Sequence, residues 1–513
     1  MNLRYRFLLA CIPVFLLCST PATAQNPAQI PCLGIADGAL SFNDRVICTV
    51  PQLYGPQGLI FASPGSLFVG PLQSTAPFVV GGLFLSGKTS FLDSVNQSIT
   101  SQIASVPLVA PAAGLSLVFD QSLGVFVTSN DSFGPIFSER ASTIGKYRLA
   151  LGLSYQWMDF DSLDGVDLHG FPTLYVQPDD AFGVNGQCNP VANIPNCSRG
   201  SHDYLTASNR IDLKVSQYTA FATFGLTNRI DLSVAVPVLT VSMRAAADTS
   251  IVPNSSTPGE LSFVDPPTHG ACLTHSASAS SPGSQYCSEA LFFNSQRSSG
   301  IGDLTVRVKG VLKSWERAGL AAGLDIRVPT GNELNFLGTG ATGIRPFMVW
   351  SHAGRISPHL NLGYQWNGKS ILASDIKAGA YAGDTSRYYL PGQLLYSVGL
   401  EAAATKRFTA TIDLVGQTVI NGARVHLIQA LAPGLCPSTS TDPSTICANA
   451  GPPVHQETIA SYKGTYAIDN ASLGLRYRPF GRFLISANVL LKLDNGGLRS
   501  KAISTVSATY TLR

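Results

Sequence analysis

The sequence predicts an all-β chain closed into a transmembrane antiparallel barrel of about twelve strands, and three observations carry that prediction. Charged residues make up 13% of the chain and apolar ones 45%, whereas a soluble globular protein carries about 25% charge. Beyond residue 24 no apolar run reaches the roughly 18 residues that a spanning helix needs. From Tyr147 onward one unit recurs, about ten alternating residues and then a turn, with long and short connections by turns. Apolar residues spread in alternation are what a wall with lipid outside and a wet lumen inside requires. A large secreted β-sandwich or propeller is the soluble alternative.

The N-terminus, MNLRYRFLLACIPVFLLCSTPATAQ, reads as a secretory signal peptide. Arg4 and Arg6 are its basic region, 7–18 its apolar core, and Ala22-Thr23-Ala24 its small-x-small cleavage site. Cys18 follows Leu16-Leu17, without the small residue a lipoprotein signal would place there. The mature chain is expected to begin at Gln25, exported to the outer membrane of a Gram-negative bacterium.

The first strand, YRLALGLSYQW, sets Leu149, Leu151, Leu153, Tyr155 and Trp157 on one face and Arg148, Ala150, Gly152, Ser154 and Gln156 on the other. Large apolar side chains belong to lipid, small and polar ones to the lumen. The second strand, about 211–224, changes parity near Ser216-Gln217, which predicts a bulge. The third exposes Ile230, Leu232, Val234, Val236 and Val238, with a bulge or strand end expected at Pro237, which has no N–H for the ladder. Strand four turns Asp303, Arg307 and Lys309 inward, and strand five Asp325 and Arg327. Strand six, near 343–350, has no clear faces. Strand seven turns His359, Asn361 and Gln365 inward, strand eight Glu401, strand nine Asp413, and strand ten Asn470, Arg476 and Arg478. Strand eleven exposes Phe483, Ile485, Ala487, Val489 and Leu491, and AISTVSATYTLR is the last.

Short turns follow the even strands and longer loops the odd ones, as expected of periplasmic turns and extracellular loops. Trp157, Trp315, Trp350 and Trp366 fall at strand ends or in a turn, where interfacial girdles lie. Outside the leader, eight cysteines form four local pairs: Cys32 with Cys48, Cys188 with Cys197, Cys272 with Cys287, and Cys436 with Cys447. In an exported chain these read as disulfides. The rival, metal binding, has only His269 and His275 beside Cys272 and no C-x-x-C spacing, so no metal or other cofactor is expected.

Residues 25–140 precede the barrel at 141–513 and are expected to plug the lumen in part, with the rest periplasmic; a separate periplasmic domain is the alternative. Within them 90–106 has helical spacing and 114–128 reads as a hairpin, which, if extended into the wall, would make fourteen strands. The string GLFLSGKT (82–89) matches a phosphate-binding loop, but no strand–helix alternation surrounds it and the exported compartment lacks ATP.

Three stretches, SFGPIFSERASTIGK (132–146), FGLTNRIDLSVAVPV (224–238) and LDIRVPTGNELNFLGTG (324–340), together resemble a family of Gram-negative outer-membrane proteins labelled as a MetA-pathway component of phenol degradation, grouped with transporters of hydrophobic and aromatic compounds. The resemblance runs from about Ser132 to the C-terminus and implies passage of small hydrophobic molecules. The last strand also resembles an outer-membrane assembly signal, ending Tyr510-Thr511-Leu512 with an extra Arg513 in place of a terminal Phe.

The expected function is therefore a channel or transporter for small hydrophobic or aromatic solutes, by passive diffusion through a partly plugged barrel. Outer-membrane lipids, the barrel-assembly machinery and the solute are its expected partners. A net charge of +3 gives no reason to expect nucleic acid. The inward charges allow two readings: a mildly basic pathway that favours anions, or ion pairs across the lumen that hold the barrel or a plug. Mixed signs on adjacent strands favour the second. A surface-binding protein is the alternative class. A lipid hydrolase is the less favoured one, because no H-x-S lies on a strand and no G-x-S-x-G occurs.

Overall fold

The computed structural model of the chain describes Cys32 and residues 34–36, 39–41, 43–55, 61–62, 95–96, 98–100, 102, 117–120, 125–128, 139–175, 204–252, 262–264, 270–277, 285–374, 386–405, 407–432, 434 and 452–512. The leader and the GLFLSGKT string lie outside these residues. Of the four expected disulfides, two form among the described residues, Cys32 with Cys48 and Cys272 with Cys287. The other two expected pairs, Cys188 with Cys197 and Cys436 with Cys447, lie outside the described residues. Among the described residues no helix is long and apolar enough to cross a membrane.

Twelve antiparallel strands close into a barrel: β1 (Leu149–Leu163), β2 (Tyr204–Gly225), β3 (Ile230–Val252), β4 (Gln285–Ile301, continued by Leu304–Ser314), β5 (Ala318–Val328), β6 (Gly343–His352), β7 (Ile356–Asn367), β8 (Gly392–Ala403), β9 (Phe408–Ala432), β10 (Val454–Tyr477), β11 (Phe483–Lys492) and β12 (Ala502–Leu512). Each pairs with the next, and β12 closes on β1 from Leu512↔Leu149 to Ser504↔Trp157. Closure leaves no sheet edge at bilayer depth, the condition for a β-structure to span lipid. Fourteen strands are not formed: Leu117–Asp120 and Val125–Thr128 pair only with each other, as a separate two-stranded sheet. All short turns lie at one end, here called the lower, and all long connections at the other, the upper.

Alternation places Leu151, Leu153, Leu232, Val308, Leu362, Leu400, Ile412 and Leu473 on the exposed outer surface. On β3 the outer row from Ile230 to Val238 continues to Thr240, a span of about 25 Å for tilted strands. Trp157 and Trp366 mark its upper edge, Trp315 and Trp350 its lower, and all four are exposed.

Two sequence expectations are corrected. The expected bulge on β2 does not form; the strand runs in unbroken register with β1 and β3 through Ser216 and Gln217. The parity change arises because inward positions are mostly polar below (Gln217, Thr219 and Thr223, with Phe221 among them) and apolar above (Ile211, Leu213, Val215). Above the apolar belt the outer face meets water and carries Arg210, Asp212 and Lys214, so the hydrophobic pattern inverts along one regular strand. At Pro237 the strand neither ends nor bulges. The break falls instead in the neighbouring strand, where Gly302 and Asp303 interrupt β4 and Gly302 N donates to Pro237 O.

Candidate functional site

The barrel interior is where the inward side chains converge, and parts of the N-terminal segment occupy it at two levels. The upper level is apolar. Val46–Cys48 form one turn of 3₁₀ helix, and Cys48 is disulfide-bonded to Cys32. Val46, Ile47, Val50, Leu53 and Tyr54 are buried in the same core as the inward-facing Leu213, Met243 and Phe292 of the wall. The Tyr54 ring meets Phe292 edge-on at 4.9 Å, and burial raises its phenol pKa above the usual value. Asn294 of β4 donates to Thr49 O at 3.0 Å, and Val46 N donates to Asn335 in the β5–β6 loop at 3.1 Å. That loop is thus folded inward, with Leu334, Phe336 and Leu337 buried. The second disulfide, Cys272–Cys287, staples the upper connection between β3 and β4.

At the lower level residues 139–146 run through the lumen before the chain enters β1. Arg140 lies against Glu401 of β8 through two contacts, Nε–Oε1 at 3.2 Å and Nη2–Oε2 at 2.5 Å. Glu139 pairs with Arg307 and, at 3.1 Å, with Lys309 of β4. Lys309 Nζ also donates to the carbonyls of Arg140 (3.2 Å) and Ser142 (3.1 Å). Asn361 of β7 accepts from Glu139 N at 3.0 Å and donates to its carbonyl at 3.3 Å. Ser351 accepts from Ala141 N and Asp231 from Ile144 N. A Cβ on Gly225 would collide with the Gly145 carbonyl, so the close passage of strap and wall needs glycine there. Five strands thereby hold one extended strap, through charged and polar side chains.

The wall charges pair in register. Asp325 on β5 stands directly between Arg307 on β4 and Arg345 on β6, and it accepts from Arg307 at 2.5 and 2.7 Å and from Arg345. His359 Nε2 lies 2.5 Å from Asp413, its Nδ1 3.7 Å from Glu401. Arg476 is fully buried beside this cluster. Asp303 accepts from Thr339 N and Oγ1 and from Gly331 N, so it clamps the β5–β6 loop, with Arg327 at 3.8 Å. Arg148 is half-buried at the lower rim just before β1, and Arg478 half-buried in the turn after β10. Of the twelve residues expected to face the lumen, these two lie beyond the strand ends at the rim, and Asp303 lies in the break within β4.

Glu139, Arg140, Asp231 and Arg345 join the site without being among the residues expected to face the lumen. Asp231 and Arg345 could have been found by alternation. Strand six hid Arg345 because Phe347 and Val349, also apolar, face inward; Arg307 lies over the Phe347 ring at 4.8 Å. Glu139 and Arg140 lie in a stretch without periodicity, and their only signal is a charged pair in a charge-poor region. Among the described residues no group of three His, Cys, Asp or Glu side chains is placed to hold a metal ion.

Residues 201–424 match the protein-family model described as "Putative MetA-pathway of phenol degradation". No curated protein matches the chain. Among solved structures, an outer membrane channel from Pseudomonas putida F1 aligns over 74% of this chain and 100% of its own at 11% identity and a TM-score of 0.38. A FadL homologue of Pseudomonas aeruginosa aligns over 84% and 99%, at 11% identity and a TM-score of 0.29. The toluene transporter TbuX of Ralstonia pickettii aligns over 72% and 89%, at 12% identity and a TM-score of 0.20.

Proposed function

We propose that this chain is an outer-membrane channel for small hydrophobic or aromatic solutes, closed here by its own N-terminal segment. Solutes cross by passive diffusion once that segment shifts. The observation that carries this reading is the strap at 139–146, a non-wall segment held in the lumen by side chains of the wall. A barrel needed only as a scaffold could fill its bore with wall side chains, as small barrels do. The apolar upper level is where a hydrophobic solute would partition, and the phenol-degradation description of the matching family supports an aromatic one. The exposed apolar belt requires the lipids of the outer membrane around it, and the C-terminal strand is the segment for the assembly machinery to engage.

A hydrolase is not favoured. His359 is the one buried histidine of the lower cluster, and its ring contacts are the carboxylates of Asp413 and Glu401. Among the described residues no serine hydroxyl bonds to it, so no activated nucleophile is assembled there.

The test is reconstitution into liposomes with and without Glu139→Ala and Arg140→Ala together. Removing both strap charges is expected to raise flux of a small aromatic solute severalfold while the barrel stays folded, as read by heat-modifiable gel mobility. If neither form passes any solute, the channel reading fails.

A further inference from the structure

The residue immediately before every one of the six upward strands is arginine: Arg148, Arg229, Arg317, Arg355, Arg407 and Arg482. In a chain of 513 residues with only 34 lysines and arginines, chance does not place them so. Their backbones are equivalent too. Each carbonyl accepts a hydrogen bond from the neighbouring downward strand or the turn beside it, as in Val311 N to Arg229 O (2.8 Å) and Arg478 N to Arg407 O (2.9 Å). All six therefore stand at one level, around the lower rim. By strand alternation each shares parity with the inward face of the strand it precedes, so the ring borders the mouth of the bore rather than the lipid belt.

Upward strands are two strand spacings apart, which sets neighbouring arginines about 10 Å from one another. That is about one screening length at 0.1 M salt, so their potentials overlap across the mouth. Arg229, Arg317, Arg355 and Arg407 are exposed, and among the described residues none of these four has an ion-pair partner. Glu316 is the one carboxylate in the five short turns. The upper rim has no counterpart: the residues before the downward strands are Asp203, Ser284, Thr342, Pro391, Pro453 and Lys501.

We infer that the lower mouth is an anion-collecting vestibule, a ring that concentrates aromatic or aliphatic carboxylates and other small anions at the periplasmic end of the lumen. This rests on the channel reading for its purpose, but not for its existence. Charges inside the bore pair with one another and with the strap; Arg229, Arg317, Arg355 and Arg407 face water at the rim, where they can act on a solute. Rings of Arg or Lys select anions in this way, because the low-dielectric wall focuses their field into the opening.

The test uses the full chain in neutral detergent and the tetra-anionic dye pyrenetetrasulfonate as probe, read by fluorescence anisotropy. The wild type is expected to bind the dye at 0.1 M salt and to lose it at 1 M. Replacing Arg229, Arg317, Arg355 and Arg407 with Gln should weaken binding at least about tenfold, while replacing the same four with Lys should retain it. Their backbone carbonyls, which make the rim hydrogen bonds, survive both sets. Equal binding by wild type and the Gln variant overturns the proposal. So does a Gln variant that keeps the dye but loses a preference for phosphatidylglycerol over phosphatidylcholine, because the ring would then be a lipid contact. Dye binding needs no open pore, so a channel that passes no solute leaves this outcome readable.

Discussion

Asp325 shows how single residues set the lower half of the lumen. Its two arginine partners sit directly across from it on the strands to either side, so the triplet forms as soon as the register is set. With the Asp325 side chain 4% exposed, the attraction acts in a medium far less polar than water, and removing one charge leaves the others uncompensated. Asp325→Asn is expected to destabilise the folded barrel by about 3–5 kcal/mol, measured by urea unfolding in micelles. A loss below about 1 kcal/mol would mean that water reaches the triplet and screens it. His359 belongs to the same scale. It was legible as inward from alternation on β7, but the carboxylates it meets come from β8 and β9, which no local pattern pairs with it.

At the scale of elements, the informative comparison is between wall strands and plug. A strand announces itself because its side chains alternate and its outer row must be apolar against lipid, a constraint written into each ten-residue stretch. Above the belt that constraint reverses on β2 and β3, where apolar residues turn inward to meet the knot around Cys32–Cys48. A one-strand reading can only register this as a change of parity. The knot is short, cross-linked by its disulfide and buried against the wall. Replacing Cys32 and Cys48 with Ser removes a cross-link of the size that usually contributes about 2–4 kcal/mol. The variant is expected to leak solute from liposomes faster than the wild type, and reductant should speed leakage from the wild type more than from the variant, which keeps Cys272–Cys287. No change in either experiment would show that packing holds the knot without its disulfide.

At the scale of the molecule, the lumen holds two features of opposite chemistry, an apolar knot above and a charge-held strap below. They lie on one chain segment, so their contributions can be separated by length. Deleting residues 30–138 should remove the knot and keep the strap; deleting 30–146 should remove both. Planar-bilayer conductance is expected to rise in two steps across this pair. A full rise with the first deletion would assign closure to the knot alone, and no rise with either would leave the wall itself as the barrier. The six rim arginines also belong to this scale. Each was visible in the sequence, but only exact strand boundaries reveal that they occupy one repeated position.

By itself the sequence determined the barrel. Alternation, charge poverty and the rhythm of long and short connections are local properties, and a closed wall in lipid needs little else, so twelve strands and most of their faces could be read from it. Tertiary structure decided what fills the barrel and which charges meet. The segment at 139–146 has no period to read, because its partners are not its own neighbours but side chains of five strands, brought to one level by register and closure. Ion pairing across a lumen depends on distances between strands far apart in the chain, and those distances exist only once the sheet has closed.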